Sequence, residues 1–166
     1  MLKKLFGKEQ KPVDVSIKSP VSGAFVDITE VPDPTFSEKM MGEGFAVDPS
    51  EGIILSPVKG RVEQIFPTKH AIGIRSEEGL DILIHIGLET VSLDGEGFTC
   101  KVSEGDSVEE GDLLMEFDMD VISEKAASKI TPVVFTEGDQ VENIQMNSEN
   151  RLKAGETVVA TVTVKK

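Results

Sequence analysis

Apolar residues along this chain fall into short runs dominated by valine and isoleucine, separated at close intervals by glycine, proline and acidic residues. That rhythm predicts many short strands rather than helices. The clearest segment reads Lys69-His70-Ala71-Ile72-Gly73-Ile74-Arg75, then Ser76-Glu77-Glu78-Gly79, then Leu80-Asp81-Ile82-Leu83-Ile84-His85-Ile86-Gly87. Two isoleucine-rich runs flank a polar turn ending in glycine, which is a β-hairpin pattern. A turn centred between Glu77 and Glu78 sets Ile74 against Asp81, Ile72 against Leu83 and His70 against His85, where directly opposed side chains interact. A one-residue bulge at Gly79 gives a competing register. That slip pairs Ala71 with His85 and is expected to turn the two imidazoles to opposite faces.

Helix is scarce. Asp33-Pro34-Thr35-Phe36-Ser37-Glu38-Lys39-Met40-Met41 carries a proline near its start and predicts a turn or two, stopped by Gly42 and Gly44. Residues 118–128 are the best helix candidate, capped by Asp118. An internal echo links Ser19-Pro20-Val21-Ser22-Gly23 to Ser56-Pro57-Val58-Lys59-Gly60, each followed by a strand ending in isoleucine, with a weaker third copy at Thr131-Pro132-Val133-Val134. Acidic glycine turns recur at Gly105, Gly111, Gly138 and Gly155, where glycine can supply a positive backbone angle. These signals predict an all-β fold: an antiparallel β-sandwich or flattened barrel with an internal quasi-repeat and a few short helices.

The chain has 166 residues, long enough for one well-buried core, and residues 12–166 are expected to form a single domain. Residues 1–11 stand apart: basic, with apolar residues at helical spacing, they are expected to be a mobile tail capable of weak contact with a membrane surface. Net charge is −13, from 30 acidic and 17 basic residues, which argues against a nucleic-acid partner and favours basic protein partners. Cys100 is the one cysteine, so no internal disulfide is available. No apolar stretch reaches membrane-span length and the first residues hold no signal-peptide core, so a cytoplasmic location is expected.

His70 and His85 are the only histidines. A lone histidine among isoleucines is normally a core residue bonded to the backbone. Two in one hairpin, one beside the loop at Pro67 and one followed by Gly87, weaken that explanation. An imidazole walled by aliphatic side chains stays neutral near pH 7, and a neutral imidazole is a nucleophile. A second ring can donate a hydrogen bond to the group the first one carries, which suits phosphoryl transfer. Zinc is the rival, but two histidines fall short of the three or four ligands it needs, and Glu89 or Asp33 would have to contribute. The zinc-peptidase and serine-hydrolase motifs are missing. Methionine-lysine, the tip of lipoyl and biotinyl carrier domains, is replaced by Met119-Asp120.

Over nearly its whole length the chain resembles the glucose-class enzyme IIA component of the bacterial phosphoenolpyruvate-dependent sugar phosphotransferase system. The resemblance rests on Ser19–Gly23, Val31–Lys39, Met41–Gly44, Ser56–Gly60, Ile65–Ala71, Leu113–Asp118, Thr131–Val134 and above all His85-Ile86-Gly87-Leu88-Glu89-Thr90-Val91-Ser92-Leu93-Asp94-Gly95. It implies a β-sandwich phosphocarrier, without a cofactor, that takes phosphate from the phosphocarrier protein HPr and passes it to the enzyme IIB of a sugar transporter. It implies that His85 is the phosphorylated nucleophile, that His70 holds the phosphoryl group, and that Thr68 fixes the His70 ring. Phe36, Phe66, Ile84 and Val91 would line an apolar docking face, with Asp33 and Glu89 on its rim; some relatives carry aspartate where this chain has Glu89. A monomer suits such a shuttle. The same face could serve a regulator of transporters or kinases, a partner carboxylate completing a zinc site with His70 and His85.

Overall fold

The structure, a computed structural model, describes residues 11–147 and 149–165. The basic tail and its expected membrane contact therefore lie, but for Lys11, outside the described residues. Among the described residues the strands run β1 (Val13–Lys18), β2 (Gly23–Asp27), β3 (Glu43–Pro49), β4 (Ile53–Leu55), β5 (Gly60–Ile65), β6 (Ala71–Ser76), β7 (Asp81–His85), β8 (Phe98–Cys100), β9 (Ser107–Val108), β10 (Leu113–Phe117), β11 (Thr131–Phe135), β12 (Val141–Met146), β13 (Arg151–Leu152) and β14 (Val158–Val164). All pairings are antiparallel. An eight-stranded sheet has the order β9-β5-β6-β7-β11-β3-β2-β13, and two three-stranded sheets have the orders β4-β10-β8 and β12-β14-β1. This is the β-sandwich the sequence pattern predicts, with an α1 of one turn (Pro34–Ser37) and α2 (Met119–Lys125).

The main core draws on all three sheets. It holds Val15, Ile17, Phe45, Ile54, Ile72, Ile74, Ile82, Ile84, Leu114, Val133, Phe135 and Val162. A smaller cluster sits on the other face of the large sheet: Ile28, Val31, Phe36, Ala46, Ala71, Leu83, Leu88 and Val134. The central strands are thus buried on both faces, and every residue of β11 is buried. This explains why they read as continuous aliphatic runs instead of alternating with polar residues. Successive side chains still point to opposite faces. Ile82, Ile84 and Ile86 enter the main core, and Leu83 faces the small cluster.

The internal echo is structural. The Ser19 hydroxyl donates to the Val21 carbonyl at 2.7 Å, and that of Ser56 to the Val58 carbonyl at 2.6 Å. The copies also exchange backbone bonds, Lys18 N–H to the Pro57 carbonyl and Leu55 N–H to the Pro20 carbonyl. A Cβ on Gly23 would stand 2.1 Å from the Asp48 carbonyl oxygen and one on Gly60 2.0 Å from that of Arg75, so both copies need glycine for the same close approach of strands. Gly105, Gly111 and Gly155 take positive φ in their turns, as expected; the Gly138 segment instead forms a 3₁₀ turn over Gly138–Gln140. The third sequence copy is not a turn but strand β11.

The hairpin register is the slipped one. Ala71 pairs with His85, Ile72 with Ile84 and Arg75 with Asp81. The Gly79 N–H donates to the Ser76 carbonyl and Gly79 adopts φ 96°, which places the extra residue in the connection.

Candidate active site

The two imidazoles meet despite the slipped register. Their ring centroids are 4.9 Å apart, at 78° to one another. The expectation that this register separates them assumed that His70 belongs to the strand, and it does not. Strand β6 begins at Ala71. Before it, the chain closes a tight loop in which Lys69 N–H donates to the Phe66 carbonyl at 2.7 Å and Phe66 N–H to the Ala71 carbonyl. Lys69 adopts φ 61°, the left-handed region that non-glycine residues seldom occupy. That turn re-aims His70 onto the face that Ala71 and His85 share. The backbones are joined as well, because Ile86 N–H donates to the His70 carbonyl at 2.7 Å.

His85 ends strand β7 on the face of Leu83 and is half-buried. Its Nδ1 lies 2.8 Å from the Gly87 carbonyl. A carbonyl only accepts, so Nδ1 carries the proton and Nε2 of the neutral ring keeps its lone pair. Gly87 makes this possible by adopting φ 71°. A Cβ there would stand 2.8 Å from Thr90 Cγ2 and 2.9 Å from the Ser128 carbonyl oxygen. The missing bulk at Gly87 therefore accommodates the protein's own chain, at Thr90 and Ser128.

His70 is 6 % exposed, and its Nδ1 is 2.6 Å from the Thr68 hydroxyl. Burial first, then the neighbouring His85, pull its pKa from 6.5 down to about 4. Burial also lowers that of His85, against the opposing effects of the Gly87 carbonyl and the Asp33 charge. Both rings are therefore neutral at pH 7. Phe36 lies against His85 with centroids 5.0 Å apart, and Phe66 meets His70 edge-on at 5.5 Å.

A shallow depression of about 300 Å³ opens over the pair, lined by Asp33, Phe36, Phe66, His70, His85, Glu89 and Val91 among the residues expected there. Asp33 also caps α1, its carboxylate accepting from Thr35 N–H at 3.0 Å, which fixes the turn that presents Phe36. Val91 is 56 % exposed, an apolar side chain left open to solvent. Thr68 stands behind His70, off the lining. Ile84 is the exception: fully buried in the main core, it points away from the depression because it neighbours His85 on a strand and so occupies the opposite face. Leu83, two residues before His85, takes the place expected of Ile84. Thr35, Met41 and Thr90 also line the site and were not anticipated; the spacing of Leu83 from His85 was the available signal.

A second groove of about 330 Å³ shares Met41, Phe66 and Leu83 with this one. A larger, more polar opening lies at Gln145–Asn147, without histidine, so chemistry rather than size singles out the histidine site. Among the described residues no group of three or more His, Cys, Asp and Glu is arranged to hold a metal, and no helix is long and apolar enough to cross a membrane.

Residues 15–141 match the family described as phosphoenolpyruvate-dependent sugar phosphotransferase system, EIIA 1. The protein named PTS system glucose-specific EIIA component of Halalkalibacterium halodurans is 50 % identical over 171 residues, spanning 99 % of each chain. Its namesake in Staphylococcus aureus is 50 % identical over 165 residues, again over 99 % of each. The solved structure of glucose permease IIA from Mycoplasma capricolum superposes with a TM-score of 0.79 at 37 % identity, covering 90 % of this chain and 96 % of that one. With the sandwich in common and identity at this level along the whole length, the chain belongs to the EIIA 1 family of the phosphoenolpyruvate-dependent sugar phosphotransferase system, as a phosphocarrying component of that system.

Proposed function

We propose that His85 accepts a phosphoryl group on Nε2 from phospho-HPr and hands it to the enzyme IIB of a sugar transporter. The bond from Nδ1–H of His85 to the Gly87 carbonyl carries this reading, because it leaves Nε2 as the nucleophile. In the transfer the Nε2 lone pair attacks phosphorus, the Nε2–P bond forms, and the bond to the donor breaks with its electron pair leaving on the donor. No proton has to move. The ring becomes positive as it is phosphorylated, and its Nδ1–H bond to a carbonyl strengthens with that charge. With the Thr68 hydroxyl donating to Nδ1 of His70, the proton of that ring sits on Nε2, as a donor for the phosphoryl oxygens. Phe36, Phe66 and Leu83 give the depression apolar walls, so a partner docked over it displaces water and protects a labile phosphohistidine from hydrolysis during transfer.

The same apolar rim is the docking face. Val91 and Met41 leave apolar surface exposed beside the carboxylates of Asp33 and Glu89, a small patch suited to brief encounters with basic partners. Glucose is the sugar of the transporter served, on the names of the relatives at 50 % identity, and the protein works as a cytoplasmic monomer. Incubation with phosphoenolpyruvate, enzyme I and HPr adds one acid-labile phosphate at His85, detected by mass. His85→Ala accepts none; His70→Gln accepts phosphate but passes it on poorly. An unchanged wild-type mass under these conditions defeats the proposal.

A further inference from the structure

We infer that Thr90 is a positioning residue for phosphoryl transfer: its buried hydroxyl holds the Ile86–Gly87 peptide so that the Gly87 carbonyl keeps the proton of His85 on Nδ1. This rests on His85 being the acceptor. Thr90 is fully buried, and its hydroxyl donates to the Ile86 carbonyl at 2.7 Å. The Ile86 peptide N–H, on the preceding unit, is bound by the His70 carbonyl. Ile86 is therefore clamped at both backbone groups, on one side by the chain that carries His70 and on the other by Thr90.

From Gly87 to Glu89 the chain has no regular structure to hold it. Gly87 sits at φ 71° and Glu89 at φ 58°, both left-handed, and Glu89 has a side chain to strain. Beyond Gly87, Leu88 N–H donates to the Ser128 carbonyl at 2.8 Å and the Leu88 carbonyl accepts from Ala127 N–H at 3.1 Å, which anchors the far side of the turn and leaves Thr90 to hold the near side. The Thr90 methyl lies against Gly87, so near that a Cβ on the glycine would meet it at 2.8 Å. One side chain thus supports the turn twice, with its hydroxyl on Ile86 and its methyl on Gly87. Losing the hydroxyl leaves a buried carbonyl without that partner, a penalty the loop relieves by rotating peptides. The rotating peptides are those that aim the Gly87 carbonyl. Without that carbonyl the neutral imidazole distributes its proton over both nitrogens, and the fraction with a bare Nε2 falls.

The test compares Thr90→Val, which keeps the shape and the methyl but loses the hydroxyl, with Thr90→Ser, which keeps the hydroxyl. Thr90→Ala removes the hydroxyl without adding bulk and carries the same test if the valine variant does not fold. Ring ¹⁵N shifts of His85 report the tautomer, and transfer from phospho-HPr reports the rate. In wild type and Thr90→Ser a single tautomer with Nδ1 protonated is expected. In Thr90→Val the two nitrogens average, and kcat falls about tenfold while KM stays near its wild-type value, since Thr90 is fully buried beneath the depression and valine keeps its shape. An unaltered His85 ring in the valine variant, an unaltered kcat, or a serine variant as slow as valine each overturns the inference. A wild-type protein that takes no phosphate at His85 would instead remove the functional reading beneath it, so the two failures are distinguishable.

Discussion

Burial holds the His70 imidazole at about 4. Between there and the ordinary value of 6.5, the unfolded chain binds a proton that the folded chain refuses. Protons bound by the unfolded state exceed those bound by the native state in that window, so this residue makes stability rise with pH, and the contribution is lost as pH falls from 6.5 towards 4. The loss amounts to about 3 kcal/mol at the bottom of the window. Urea midpoints measured from pH 7 to 4 should fall more steeply for wild type than for His70→Gln, in which His85 and the carboxylates still titrate but His70 does not; parallel curves would show that His70 protonates freely in the folded state. The pair Ile84 and Val91 separates stability from docking in the same residue-level way. Ile84→Ala empties a filled core site and should cost about 3 kcal/mol in denaturant unfolding. Val91→Asp touches exposed surface and should change stability by less than about 0.5 kcal/mol while slowing transfer from phospho-HPr. A Val91→Asp protein with wild-type transfer would remove Val91 from the docking face.

At the scale of single elements, the hairpin was legible in the sequence and its register was not. Isoleucine runs around Ser76–Gly79 specify two strands, but whether Gly79 is inside or outside the ladder depends on one turn hydrogen bond that leaves no mark on hydrophobic pattern. The strand limit at Ala71 was equally hidden, because nothing about Lys69 announces a left-handed backbone. Ile84 was misplaced for a related reason: on a strand buried on both faces, aliphatic identity no longer says which side a residue takes, and only counting from His85 does. The one-turn helix α1 was legible through Asp33-Pro34, cap and first position together. That cap has a chemical consequence, since Asp33 both anchors the turn presenting Phe36 and raises the pKa of His85. Asn caps as well as Asp, so Asp33→Asn should keep stability and lower the His85 pKa further, whereas Asp33→Ala should do that and also cost about 1 kcal/mol. An NMR titration of His85 beside urea unfolding reads both. A His85 pKa unmoved in either variant would exclude Asp33 as an electrostatic neighbour.

Seen as a whole molecule, the sandwich explains why the site is shallow and apolar-rimmed. The large sheet has one face against the main core and the other against a small cluster roofed by the 3₁₀ turn Ile28–Glu30 and by α1. A roof that small cannot cover the centre of the sheet, and the uncovered part is where β7 ends and the histidines meet. The apolar edges it leaves open, Val91 and Met41, belong to a chain of net charge −13. Attraction of a basic partner to that charge acts on the encounter and not on the chemical step, which takes place between groups already in contact. Ions screen exposed charges over about 10 Å at 0.1 M salt, so raising salt weakens the long-range attraction first. Transfer from phospho-HPr should therefore show a kcat/KM that falls as sodium chloride rises from about 0.02 to 0.5 M while kcat stays level, a separation expected when association alone is steered. The Asp33→Asn, Glu89→Gln double variant should start lower and show a flatter slope, because it removes the two carboxylates nearest the contact. Steering would be excluded by a kcat/KM indifferent to salt, and a slope unchanged in the double variant would place the attraction elsewhere on the acidic surface, away from the rim of the histidine site.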